Sequence, residues 1–113
     1  MTPSDPFRDF EDFWPFYVGQ HSKAWTRRLH FVGTAGAIAL LAGAWLLRRP
    51  AIAAASPVFA YALAWFSHFA IERNRPATFS HPLWSLRGDF RMFSLMIRQQ
   101  MDAEAARLRA VRA

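Results

Sequence analysis

The sequence predicts an all-α membrane protein: a transmembrane helical hairpin, preceded by an aromatic helix and followed by an amphipathic one. Three observations carry that prediction. Two apolar runs, Phe31 to Leu47 and Ala51 to Ile71, contain no Asp, Glu, Lys or Arg. They are joined only by Arg48, Arg49 and Pro50, which leaves room for a tight turn. Of the fourteen Lys and Arg residues, twelve lie in the flanking tails and two in that turn. About 20 apolar residues in a helix cross the ~30 Å hydrocarbon layer. The second run has that length; the first reaches it by borrowing Leu29 and His30 or by standing with little tilt. A buried helix pair in a soluble bundle is the competing reading, but neither run carries the polar stripe such a pair would show.

The charge bias places both termini in the cytoplasm, and in a bacterium it places the chain in the inner (plasma) membrane. With 113 residues there is room for one domain, 1–113. The lack of cysteine excludes a disulfide framework and a thiolate metal site. A net charge of +6 raises nucleic acid as a partner. The arginines flank apolar helices, however, so anionic lipid is the better match and no nucleic-acid partner is expected. The first 20 residues are acidic and aromatic and do not read as a signal peptide, so the first apolar run should be the insertion signal.

The first helix is expected over about 5–19. There Phe7, Phe10, Trp14 and Tyr17 recur at helical spacing, with Ser4 or Asp5 as cap and Pro6 in the first turn. Pro15 should bend it. Its aromatics suit the headgroup zone or packing against the hairpin, and both remain open. Gly19 to Ser22 should break the chain, with Ser22 capping the first membrane helix, about 23–48. The second should run over about 51–73, with a bend or a late start at Ser56-Pro57. Small residues on two stripes, Gly33 and Ala37 facing Ala60 and Ala64, should bring the backbones close. Residues 74–88 read as a loop folded back over the histidines, because Pro76 and Pro82 forbid a long helix. Asp89 then caps an amphipathic helix over about 89–110, suited to a membrane surface or a partner.

The hairpin places His30, at the start of one membrane helix, and His68, near the end of the other, on one side of the membrane. His21 precedes the first helix and His81 follows the second, so all four histidines belong to one face. An ionisable group in a membrane helix is costly and usually functional. Neutral imidazole is the commonest metal ligand and suits iron, zinc, copper or nickel. His21, His30, His68 and His81 are therefore the candidate ligands. Glu72, one turn after His68, either completes a two-histidine, one-carboxylate site or pairs with Arg73, Arg75 or another arginine; the salt bridge is favoured. Asn74 and Asp89 either accept imidazole N–H bonds or cap helices. No Gly-rich phosphate loop or activated serine is present.

The blocks FWPFYVGQHSKAWTRRLHFVGT, Phe13 to Thr34, and HFAIERNRPATFSHPLWSLRGDFRMF, His68 to Phe93, resemble a family of small membrane proteins once known only as a domain of unknown function. Its studied fungal member is an endoplasmic-reticulum dioxygenase acting on 2-hydroxy fatty acids such as 2-hydroxypalmitate. The resemblance covers about Phe10 to Met96. It implies an Fe(II) enzyme of fatty-acid α-oxidation that consumes O₂ and removes one carbon. The family's histidines match His21, His30, His68 and His81 in the blocks GQHS, RLHF, SHFAIE and SHPLW, and Glu72 to Pro76 also matches. A 2-hydroxy acid can chelate a metal through its carboxylate and hydroxyl. Arg75 or Arg87 could fork its carboxylate, unless they meet lipid headgroups instead. The alternatives are a zinc- or iron-bound membrane scaffold without turnover, or an assembly protein whose histidines only hydrogen-bond. Two helices leave surface enough for a second copy of the chain, so a homo-oligomer is also open.

Overall fold

The two apolar runs form an antiparallel pair. The structure, a computed structural model, describes residues 6–112, so Ser4 and Asp5 lie outside the described residues. Helix α2 is Ala24–Leu46 and α3 is Pro50–Phe66, which continues directly into a π turn, Ser67–Glu72. Counted with that turn, each is 23 residues and apolar enough to cross a membrane. Arg48 closes α2 with φ 55°, its N–H bonding Trp45 O, while Arg49 N–H bonds Ala44 O at 2.9 Å. That is a Schellman turn with arginine where glycine is usual. Pro50 then opens α3 at its first position, where a missing N–H costs nothing.

The expected small-residue seam holds the pair together. A methyl group on Gly33 would lie 3.2 Å from the Ala60 carbonyl oxygen, so any side chain there would press the two backbones a few tenths of an ångström apart. One turn further, the buried Ser56 hydroxyl donates to Ala37 O at 2.9 Å. Pro57 neither starts nor ends α3; the helix runs through it.

The remaining helices form a cap at the histidine end. Helix α1, Phe10–Gly19, starts later than expected, because Asp9 accepts the Asp12 N–H at 2.8 Å and caps it. Helix α4 is Pro82–Ile97 and α5 is Met101–Arg112. The expected loop 74–88 is thus shorter than it reads, holding one 3₁₀ turn, Ala77–Phe79. Pro82 begins a helix rather than forbidding one, as it does at a first helical position. The expected single helix 89–110 is two helices, divided where Gln99 takes φ 57° in a second Schellman turn. The aromatics of α1 pack inside the protein, but on α4 and α5 rather than against the hairpin as one reading expected. Phe13, Trp14 and Tyr17 are 0–2% exposed, in a core with Met92 of α4 and Met101, Ala105 and Leu108 of α5.

Candidate metal centre

His21, His30 and His68 meet between the hairpin and the cap. Their ligating nitrogens lie within 4.8 Å of one another, and the residues are 1%, 5% and 3% exposed. The ring centroids are 4.3, 4.6 and 5.0 Å apart, each pair nearly perpendicular. Local chain geometry explains the convergence. His21 sits in the break after α1, held by its own N–H on Val18 O at 3.0 Å. His30 is two turns into α2, and His68 is the second residue of the π turn that ends α3. π turns frequently occur at functional sites, because they redirect side chains that a regular helix would leave in register.

Each ring has one nitrogen engaged. His21 Nδ1–H donates to Tyr17 O at 2.6 Å, His30 Nδ1–H to Thr26 O at 2.9 Å, and His68 Nδ1–H to Asn74 Oδ1 at 2.7 Å. The acceptors assign the proton to Nδ1 in all three rings and leave each Nε2 lone pair free. His21 Nε2 and His30 Nε2 are 3.0 Å apart. Two lone pairs at that distance repel, while two nitrogens bonded to one cation at ~2.1 Å sit about that far apart. Burial, aided by His30 and His68, pushes the His21 pKa well below its usual value and keeps the ring neutral, as a ligand must be. The donor set therefore fits a metal ion, and each ligand has the orienting acceptor such sites require.

Several residues singled out in the sequence stand elsewhere. His81 is not in this group, so the metal-ready set is three histidines rather than four. It occupies the N-cap position of α4, where its ring stacks on Trp84 at 5.4 Å and 4° and touches Phe7 and Phe13. The aromatic cap claims it. Glu72 does not take the favoured arginine partner. The π turn underwinds the chain after His68, and Glu72 faces the start of α2 instead. Its Oε1 accepts from the Ser22 hydroxyl at 2.7 Å and its Oε2 from Lys23 N–H at 2.8 Å. Glu72, not Ser22, thereby satisfies the N-terminus of α2, in favourable alignment with the helix dipole. Asp89 neither caps a helix nor touches an imidazole. It lies inside α4 and accepts a hydrogen bond from the Tyr17 hydroxyl. Burial pushes its pKa up to about 7, against the opposing pull of that bond. The Arg87 guanidinium lies 4.2 Å over Phe10, on the cap. That of Arg75 lies over Phe79 at 5.3 Å, beside an open depression that Arg73 and Asn74 also line.

Sequence reading missed a supporting layer. The Tyr17 ring stacks on His21 at 4.1 Å. Arg27, 6% exposed, donates to the carbonyls of His21 and Ser22 at 2.7 and 3.0 Å and reaches Asp102 at 3.1 Å. Gln20 bonds Arg75 O, and Asn74 Nδ2 returns to Gln20 O, tying the break before α2 to the loop after α3. The i−4 spacing of Tyr17 from His21 was the one available signal. Arg27 reads as an ordinary membrane-flanking charge.

No curated protein and no solved structure matches this chain. One family model does, over residues 7–101, and its description is 2-hydroxy-palmitic acid dioxygenase Mpo1-like. That span holds the three converging histidines, His81 and most of the cap, and by this match the chain belongs to the Mpo1-like family.

Proposed function

We propose that this chain is an Fe(II)-dependent membrane dioxygenase that shortens 2-hydroxy fatty acids by one carbon, with His21, His30 and His68 holding the metal. The carrying observation is the set of three free Nε2 lone pairs, each ring held at Nδ1 by an acceptor, inside a chain of this family. Iron(II) bound there would activate O₂ and polarise the substrate's carboxylate and hydroxyl oxygens. The protein's own part is to hold three neutral imidazoles in one orientation and to exclude bulk water with the aromatic cap. Arg73 and Arg75, on the depression beside Asn74, supply the cationic approach for a carboxylate. The hairpin spans the membrane with both termini in the cytoplasm, so the acid arrives from the cytoplasmic leaflet.

A second reading, a zinc- or iron-bound scaffold without turnover, is favoured by the near-complete burial of the three rings. One experiment separates the two. Protein purified without oxygen is analysed for metals, then supplied with O₂ and 2-hydroxypalmitate. Stoichiometric iron and oxygen uptake are expected. His68→Ala should lose both, and Arg48→Ala, at the far turn, should keep both. Stoichiometric zinc without uptake would establish the scaffold.

A further inference from the structure

One cavity in the molecule begins at a histidine of the centre. It has a volume of about 350 Å³ and lies between α2, α3 and α4. Along α2 it follows His30, Thr34, Ala37, Ile38 and Leu41, one face of the helix. The eleven steps from His30 to Leu41, at 1.5 Å each, make that face ~16 Å long. Across from it, Ala64 lies at the His30 end, where the neighbouring Ser67 hydroxyl sits 3.3 Å from His30 Nδ1. Pro57 lies further along, beside Ser56 and its bond to Ala37 O. The cavity thus has a direction, from the metal centre towards the hairpin turn.

Its walls are unequal. Asp89 enters from α4, near the end where the histidines are. Beyond Thr34 and Tyr61 the lining turns to aliphatic side chains, and the Ser56 hydroxyl is already spent on Ala37 O. A carboxyl group and an imidazole at one end of a long apolar space fit an amphiphile with a small oxygen-bearing head and an alkyl tail. Leu86 and Phe90 of α4 also line the cavity and are partly exposed, so its α4 side is apolar and open. A tail can therefore leave the bilayer beneath α4 without crossing water.

We propose that this cavity is the acyl-chain site, with Asp89 beside the head group and Ile38, Leu41 and Pro57 setting the length of chain admitted. The proposal rests on the reading of the histidine centre given above, which fixes where the head group lies. Burial raises the Asp89 pKa to about 7, so near neutral pH a protonated fraction can donate a hydrogen bond to a carboxylate or hydroxyl oxygen.

Full-length protein in detergent, free of oxygen, is titrated with saturated 2-hydroxy fatty acids of graded length. Leu41→Trp should move the preferred length to shorter chains and weaken 2-hydroxypalmitate at least about tenfold, with metal content unchanged. Ala64→Phe, beside His30, should weaken every length alike. Trp45→Ala, 79% exposed and outside the cavity, should change nothing. Unchanged length preference in a folded Leu41→Trp protein overturns the proposal. Should that variant fail to fold, a 2-hydroxy acid with a photoreactive tail tests the wild type. Crosslinks at residues 38–41 or 56–57 support the site, and crosslinks confined to the cap overturn it. Length-selective binding without oxygen uptake would keep the cavity and remove the dioxygenase. Uptake with no shift in length would do the reverse.

Discussion

At the scale of single residues, the three ligand candidates depend on groups that never touch the metal. Asn74 holds the His68 ring through its side chain, whereas Tyr17 and Thr26 hold His21 and His30 through backbone carbonyls, with the Ser67 hydroxyl also 3.3 Å from His30 Nδ1. Asn74→Ala should weaken metal binding about 10–100-fold, as loss of an orienting acceptor typically does. Competition against a chelator reads this, and Asn74→Asp should restore much of the affinity. Gly88 tests the same layer from behind. A Cβ there would lie 2.9 Å from the buried Tyr17 ring, the ring that stacks on His21. Gly88→Ala should push Tyr17 towards the centre, reducing metal occupancy and lowering the melting temperature together. His81→Ala should lower only the melting temperature and keep the metal, because its ring belongs to the Phe13–Trp84 cluster. The histidines were legible because their chemistry is carried by residue type. Their orienting carbonyls were not, since any residue supplies one, and only the fold decides which carbonyl faces which ring.

At the scale of elements, the hairpin and its seam were legible because hydropathy and small-residue spacing are properties of the chain itself. Arg48 and Gln99 adopt left-handed conformations without being glycine, so the division between α4 and α5 carried no sequence mark. The π turn was equally silent, and it redirected Glu72 from the expected stripe to the head of α2. Helix α5 is latched to α1 by Trp14 Nε1–H donating to Glu104 Oε2 at 2.8 Å. Burial pushes the Glu104 carboxyl up, but hydrogen bonds from Trp14 and Arg107, with the Arg107 and Arg91 charges, outweigh it and hold the pKa below 4.5. A carboxyl depressed in the folded state stabilises above its unfolded value, and that stability fades as pH falls through the folded one. Acidification below about pH 4.5 should therefore loosen α5, seen as a change in Trp14 fluorescence. Glu104→Gln should be less stable at neutral pH and flatter across that acid range.

At the scale of the whole molecule, the division of surface argues for a membrane. Only 17% of the first long apolar window and 11% of the second is buried inside the protein, where a core helix of a soluble bundle would be mostly covered. Trp45, Leu46, Leu47 and Val58 stand 64–79% exposed at the turn end, as lipid-facing side chains would. The aromatic cap of α1, α4 and α5 sits towards the other end, with α4 also packing along α2. The positively charged residues beside the helix ends favour keeping that cap in the cytoplasm, although Arg27 is already committed to two carbonyls and Asp102. The lack of cysteine makes this directly testable. Single-cysteine variants Arg49→Cys, in the turn, and Arg109→Cys, on the exposed side of α5, report the two ends of the molecule. In intact cells a membrane-impermeant maleimide should label Arg49→Cys and reach Arg109→Cys only after lysis. Labelling in the opposite sense would invert the topology and put the histidine centre outside the cytoplasm. Protection of both positions until lysis would mean that the hairpin does not cross the bilayer, and its apolar surface would then need a protein partner.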